Sequence, residues 1–157
     1  MSDARFEDGR AAPLRLKALD AEDLAVLSAL VQDAVFPASE MRYSARDRRF
    51  AILLNRFRWE DAPAAERRTR DFERVQAVLA VEDVTRVQSQ GVPRGDAETV
   101  LSLLAVSFEP DADGAGRLVL TLAGDGAIAC EVEALEVVLR DVTRPYLAPS
   151  RKRPDHG

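Results

Sequence analysis

The sequence is poor in the residues that most catalytic and metal sites require. It contains one cysteine, Cys130, and one histidine, His156, in 157 residues. A single cysteine excludes an internal disulfide, and zinc sites need several cysteine or histidine ligands. Nucleophilic catalysis needs a base beside the nucleophile, most often histidine. The composition therefore argues against a Ser-His-Asp site, a Cys-His site and a zinc site.

Long apolar runs and phosphate-binding glycine motifs are also missing. No run approaches the roughly 18 apolar residues of a membrane span, and the first residues lack the apolar region of a secretory signal. In "DADGAGRLVLTL", Asp111 and Asp113 match two calcium-loop positions, but Leu122 stands where a carboxylate is required. We therefore predict a cytoplasmic protein that has no membrane span, no metal site and no cofactor.

What is present is ordinary for one globular domain. Hydrophobic residues make up 46% and charged residues 31% of the chain, so a sizeable core is expected. The net charge is −5, yet residues 40–74 carry +3. We predict a single domain over residues 14–143, with flexible tails at 1–13 and 144–157. The acidic net charge argues against a dedicated nucleic-acid binder.

The hydrophobic pattern predicts an α+β fold. "LRLKAL" alternates like a strand, and Asp20 then caps a helix whose apolar stripe is Leu24, Leu27, Val31 and Ala34, ending near Val35 before Pro37. About seven strands follow, including a hairpin that turns at Gly124-Asp125-Gly126 and places Cys130 inward. Spacing at Leu135, Val138, Leu139 and Val142 predicts a C-terminal helix. We expect a mostly antiparallel curved sheet or partial barrel. By analogy of topology, it resembles a pleckstrin-homology-like barrel.

The stretch "RRFAILLNRFRWED" from Arg48 to Asp61 is the most informative segment. A period of two places Phe50, Ile52, Leu54, Arg56 and Arg58 on one face of a strand. Ala51, Leu53, Asn55, Phe57 and Trp59 then lie on the other face. We expect only the Phe57–Trp59 face to stay buried beyond Leu54, with Arg56 and Arg58 outside. A solvated amphipathic strand explains this pattern without any function.

Six quoted segments together resemble a known family. They are "LKALDAEDLAVLSALVQDAV", "RFAILLNRFRWE", "QSQGV", "VLSLLAVSFEP", "GDGAI" and "VEALEVVLRDV". In this order, over roughly residues 14–143, they resemble an uncharacterised bacterial family, domain of unknown function 2948. The resemblance implies a bacterial cytoplasmic protein that folds as one unit, and it implies no activity, cofactor or catalytic residue.

Three classes of function remain open. We favour a non-enzymatic binding module that uses an arginine-bearing sheet face against an acidic protein surface or anionic ligand. Its candidate binding residues are Arg42, Arg46, Arg48, Arg49, Asn55, Arg56 and Arg58. The alternative is a small enzyme that uses carboxylates such as Glu131 and Glu133. A third class is an RNA or DNA binder, which the net charge disfavours.

Overall fold

The fold is an extensive antiparallel sheet with one α-helix among the described residues. The computed structural model describes residues 13–58, 73–92, 97–142 and 146–147. Trp59, the residues from 60 to 72, and residues 93–96 lie outside these ranges. In chain order the elements are β1 (Arg15–Ala18), α1 (Ala21–Leu30), β2 (Val35–Pro37), β3 (Met41–Ser44), β4 (Arg49–Phe57), β5 (Glu73–Val81), β6 (Val84–Gln90), β7 (Val100–Pro110), β8 (Gly116–Leu122), β9 (Gly126–Val132), β10 (Val137–Asp141) and β11 (Tyr146–Leu147).

The sheet is open and does not close into a barrel. Its strand order is β1-β10-β5-β4-β2-β7-β8-β9-β6, with β3 paired to β4 and β11 paired to β5. Each of these pairings is antiparallel. The prediction of a mostly antiparallel sheet is confirmed, whereas a pleckstrin-homology-like arrangement is not.

The helix α1 begins as the sequence predicts and ends earlier. The Asp20 carboxylate accepts a hydrogen bond from the Asp23 amide at 2.9 Å, which caps the first turn. The helix packs against β1 and β7, and the predicted apolar stripe Leu24, Leu27, Val31 and Ala34 is buried. The helix stops at Leu30 because the next residues turn toward the sheet, where Asp33 and Ala34 hydrogen-bond to the Leu103 backbone.

The long strand β7 contains an irregularity that sequence alternation does not reveal. Its register with β8 shifts between Leu103 and Ala105. Leu104 is exposed, whereas Val106, two residues further along, is buried. Regular alternation would place Leu104 and Val106 on one face, and the β-bulge is the reason they do not share it.

The predicted hairpin is confirmed. Strands β8 and β9 pair from Gly116↔Val132 to Leu122↔Gly126, around a turn in which Gly124 and Asp125 have positive φ. Cys130 is fully buried on β9 between inward-facing Ile128 and Val132.

The predicted C-terminal helix is wrong. Residues Val137–Asp141 form the strand β10, which lies between β1 and β5. Val137, Leu139 and Asp141 face the core, while Val138 and Arg140 face outward. The inward carboxylate of Asp141 breaks the expected alternation of apolar and polar residues, so the sequence does not read as a strand.

Most of the two tails expected from the sequence lies outside the described residues. Residues 146–147, which the sequence assigns to the C-terminal tail, form β11 against Glu73 and Arg74 of β5. Among the described residues there is no helix with the length and hydropathy of a membrane span.

Candidate functional site

Strand β4 buries the face that carries its arginines, contrary to the prediction. The inner face carries Phe50, Ile52 and Leu54 and continues into Arg56 and Arg58. Arg56 is 0% exposed and Arg58 is 4% exposed. The expectation that these two arginines point outward is therefore wrong, and Phe57 lies on the outer, half-buried face.

Arg56 can be buried because it has a buried carboxylate partner. Its Nε donates to Asp141 Oδ1 and its Nη2 to Asp141 Oδ2, both at 3.0 Å. Its Nη1 donates to the Phe57 carbonyl at 3.1 Å. Asp141 Oδ2 also accepts from the Leu14 amide at 2.9 Å. The fork of arginine matches both carboxylate oxygens, so the pair satisfies its charges inside the core and links β4, β10 and the start of β1.

The other sequence-predicted binding residues fall in two places. Arg42 and Arg49 are exposed, and Asn55 is half-buried, on the outer face of β3 and β4. Arg46 and Arg48 lie in the turn between those strands. There, Arg48 pairs with Glu133, and that hydrogen bond raises the pKa of the arginine.

The outer face of β4, β5, β10 and β1 forms a shallow groove of about 530 Å³. We call it the outer groove. Its floor is apolar and consists of small side chains, while its margins carry charge. The lining residues are Arg15, Lys17, Arg49, Ala51, Val78, Ala80, Glu82, Asp83, Glu136, Val138 and Arg140.

Strand register places these residues in rows across the groove. One row runs from Arg42 through Ala51, Ala80 and Val138 to Lys17. The floor is therefore bounded by a cation on both sides. Arg42 belongs to this row although it lies just beyond the lining residues.

The next row ends in two arginines. It runs from Leu53 through Val78 to Arg140 and Arg15, which lie directly opposite each other on β10 and β1. Both arginines are exposed. Neither has an ion pair within the part of the chain that the structure describes.

At the opposite end of the outer groove, two of the lining carboxylates already have partners. Arg49 Nε donates to both Glu82 carboxylate oxygens at 3.1 and 2.9 Å, which raises the pKa of Arg49. Lys17 Nζ lies 3.5 Å from Glu136 Oε2. The paired end and the Arg15–Arg140 row are four residues apart on β5, about 13 Å at roughly 3.3 Å per residue. The net positive charge of the groove is therefore concentrated at Arg15, Arg140 and Arg42.

Comparison with known proteins assigns the chain to a family. Residues 14–156 match the family described as "protein of unknown function (DUF2948)". The chain belongs to this family. The resemblance seen in the sequence is thereby confirmed, and comparison with curated proteins and with solved structures gives no match. Membership brings no activity with it, so the chemistry of the surface is what indicates a function for this family member.

Three residues of the outer groove were not predicted from the sequence as binding residues. They are Arg15, Lys17 and Arg140. The alternation in "LRLKAL" did place Arg15 and Lys17 on one strand face. Arg140 was assigned to a helix, and only the pairing of β10 with β1 brings it beside Arg15.

The carboxylates proposed for an enzyme do not line the outer groove. Glu131 pairs with Arg117 at 3.0 Å, and Glu133 is largely exposed and pairs with Arg48. Glu131 also borders a depression of about 260 Å³ together with Glu109 and Asp111. Across the described ranges, no group of three or more His, Cys, Asp or Glu side chains is arranged to hold a metal ion.

Proposed function

We propose that the protein is a non-enzymatic binding module whose outer groove binds an acidic segment of a partner protein. The observation that supports this is a set of cations around an apolar floor in a chain of net charge −5. The cations are Arg15, Lys17, Arg42, Arg49 and Arg140. Arginine clusters recognise acidic motifs, and a local positive field in an acidic protein orients the partner as it approaches.

The apolar floor favours a polypeptide over a free ion. Ala51, Val78 and Val138 are half-buried and small, so side chains of a partner can lie flat on them and bury apolar area. The charged margins then select segments that carry carboxylates beside those apolar groups. Complementary charge gives specificity, and the floor contributes affinity.

The same groove is unfavourable for a nucleic acid. Glu82, Asp83 and Glu136 line one end, so the cations form no continuous row for a phosphodiester backbone, which is charged at every residue. An acidic protein segment can instead place its carboxylates at the opposite end alone. Nucleic-acid binders generally use continuous basic surfaces. Glu131 and Glu133, which the enzyme alternative requires, are ion-paired outside the groove lining and supply no observation in favour of it.

We place this role in a bacterial cytoplasm. The lone, buried thiol of Cys130 suits a reducing compartment, and the family resemblance seen in the sequence is bacterial. Finding the native protein joined to a partner by a disulfide of Cys130 would contradict this placement.

The direct test measures binding of an acidic peptide. A fluorescein-labelled peptide of alternating glutamate and leucine is titrated with the protein, and its anisotropy is followed. We expect the Lys17→Ser, Arg42→Ser double variant to bind about four- to 25-fold more weakly, because each exposed ion pair contributes about two- to fivefold. A matched peptide of lysine and leucine is expected not to bind.

The Arg86→Ser, Arg117→Ser double variant is the matched control. Both are exposed arginines, on β6 and β8, and neither lines the outer groove, so their loss removes two positive charges without touching the proposed surface. If this control weakens binding as much as the Lys17→Ser, Arg42→Ser variant does, the attraction is a general charge effect and the proposal is wrong.

A further inference from the structure

The Arg15–Arg140 pair is the least balanced charge arrangement in the outer groove. The two residues are directly opposed in the antiparallel register of β1 and β10. Like charges in this position are destabilising, because their Cβ atoms are only about 4.5–5.5 Å apart. Every other lining arginine or lysine of the groove has a carboxylate partner among the described residues.

Among the described residues, the surroundings of the pair do not relieve this repulsion. On the same face, Arg140 is flanked by Val78 of β5, and Lys17, two residues from Arg15, pairs with Glu136. The carboxylates of Glu82 and Asp83 lie at the other end of the groove, about 13 Å away along the strands. A bound anion is therefore the group that would neutralise both guanidinium groups.

We propose that this pair binds a phosphoryl group carried by a phosphorylated side chain of the partner protein. The inference rests on the proposed function and names the chemistry of one contact within it. A phosphorylated side chain carries a charge of about −1.5 to −2 and three acceptor oxygens. It can thus neutralise two arginines and accept hydrogen bonds from both, whereas one carboxylate neutralises one.

The position of the pair suits a side chain on an extended segment. Leu53 and Val78 continue the same row as half-buried apolar residues. The partner segment can therefore rest on the floor while its phosphoryl group reaches the arginines. The phosphoryl group would dock at the one end of the groove where the lining residues carry no carboxylate.

The test compares three peptides that differ at one position. Serine, glutamate or phosphoserine is placed at the centre of the acidic peptide, and each affinity is measured with the full-length protein. We expect the phosphoserine peptide to bind about tenfold more tightly than the glutamate peptide. Arg15→Gln and Arg140→Gln should each reduce that preference to about twofold, whereas Arg86→Gln should keep it. Melting temperatures of both groove variants should stay at or above the wild-type value, since repulsion is removed.

The outcomes separate this inference from the proposed function. Equal affinity for the phosphoserine and glutamate peptides overturns the inference and leaves the proposed function standing, as does a preference that survives both glutamine variants. Failure of every acidic peptide to bind overturns both. Inorganic phosphate alone is the last arm: if it binds as tightly as the phosphoserine peptide, the phosphoryl group does not belong to a protein segment, and the inference is wrong.

Discussion

At the scale of single residues, the Arg56–Asp141 pair places a charged side chain on the buried face of β4 and another on the buried face of β10. Both charges are desolvated, at 0% and 5% exposure, and desolvation can cost more than the Coulomb attraction returns. The pair persists because its geometry is bidentate and Asp141 also accepts from the Leu14 amide. Removing one partner leaves an uncompensated buried charge, so the two residues are expected to behave as a unit.

We expect Arg56→Met to lower the free energy of unfolding by about 3–5 kcal/mol, the cost of breaking a buried ion pair. Asp141→Leu should cost a similar amount, because Leu14 also loses its acceptor. The double variant should be more stable than either single one, since neither member of the pair is then left buried without the other. Urea unfolding of the four proteins measures this coupling. Strictly additive losses would show that the two side chains act independently.

Cys130 offers a second residue-scale test through pH. Burial, and to a lesser degree the charge of Glu131, raises the pKa of this thiol from 9.0 to about 12. The folded state holds the proton more tightly than the unfolded state. The contribution to stability is therefore complete below pH 9 and is lost as the pH rises from 9 toward 12, at about 1.4 kcal/mol per pH unit.

The Cys130→Ala variant should lack this loss. We expect its stability deficit relative to wild type to shrink between pH 8 and pH 10.5 in urea unfolding. A deficit that is the same at both values would mean that the thiol does not titrate differently on folding. Slow labelling of the native protein by a thiol reagent is expected for the same reason, since the thiolate is the reactive form.

At the scale of elements, the sequence predicts strands well where each strand keeps one polar and one apolar face. Helix α1, with its Asp20 cap, and the β8–β9 hairpin follow from local pattern. Strand β10 could not be predicted, because Asp141 is inward and Val138 is outward. The orientation of Arg56 was predicted wrongly because its partner, Asp141, is also inside the core. One buried ion pair thus accounts for both errors, and nothing local in the sequence marks residues 85 positions apart as partners.

The bulge in β7 gives an element-scale prediction with its own control. Leu104 and Val106 are two residues apart, so a regular strand would place them on one face, but only Val106 is buried. We expect Val106→Ala to cost about 1.5–3 kcal/mol of unfolding free energy. Leu104→Ala should cost less than about 1 kcal/mol, as for a surface position. Denaturant unfolding would contradict the bulge if the two variants were equally destabilised.

At the scale of the whole molecule, folding brings cations from distant parts of the sequence onto one face of the sheet. The chain is acidic overall, yet five cations border one sheet face. The local excess of arginine in residues 40–74 includes Arg42 and Arg49, which lie with Asn55 on the outer face of β3 and β4. Arg15 and Arg140 could not be brought together from the sequence, because their contact depends on the long-range pairing of β1 with β10.

The measurement that tests the outer groove most directly is a chemical-shift map of the protein during titration with the acidic peptide. The account predicts saturable shifts of the amides of Ala51, Val78, Ala80 and Val138, the residues that form the floor. It also predicts that amides of β6 and β8, which lie in the other half of the sheet, stay unchanged. Saturable shifts confined to β6 and β8, or no saturable shift at the floor, would contradict the claim that this groove is the binding surface.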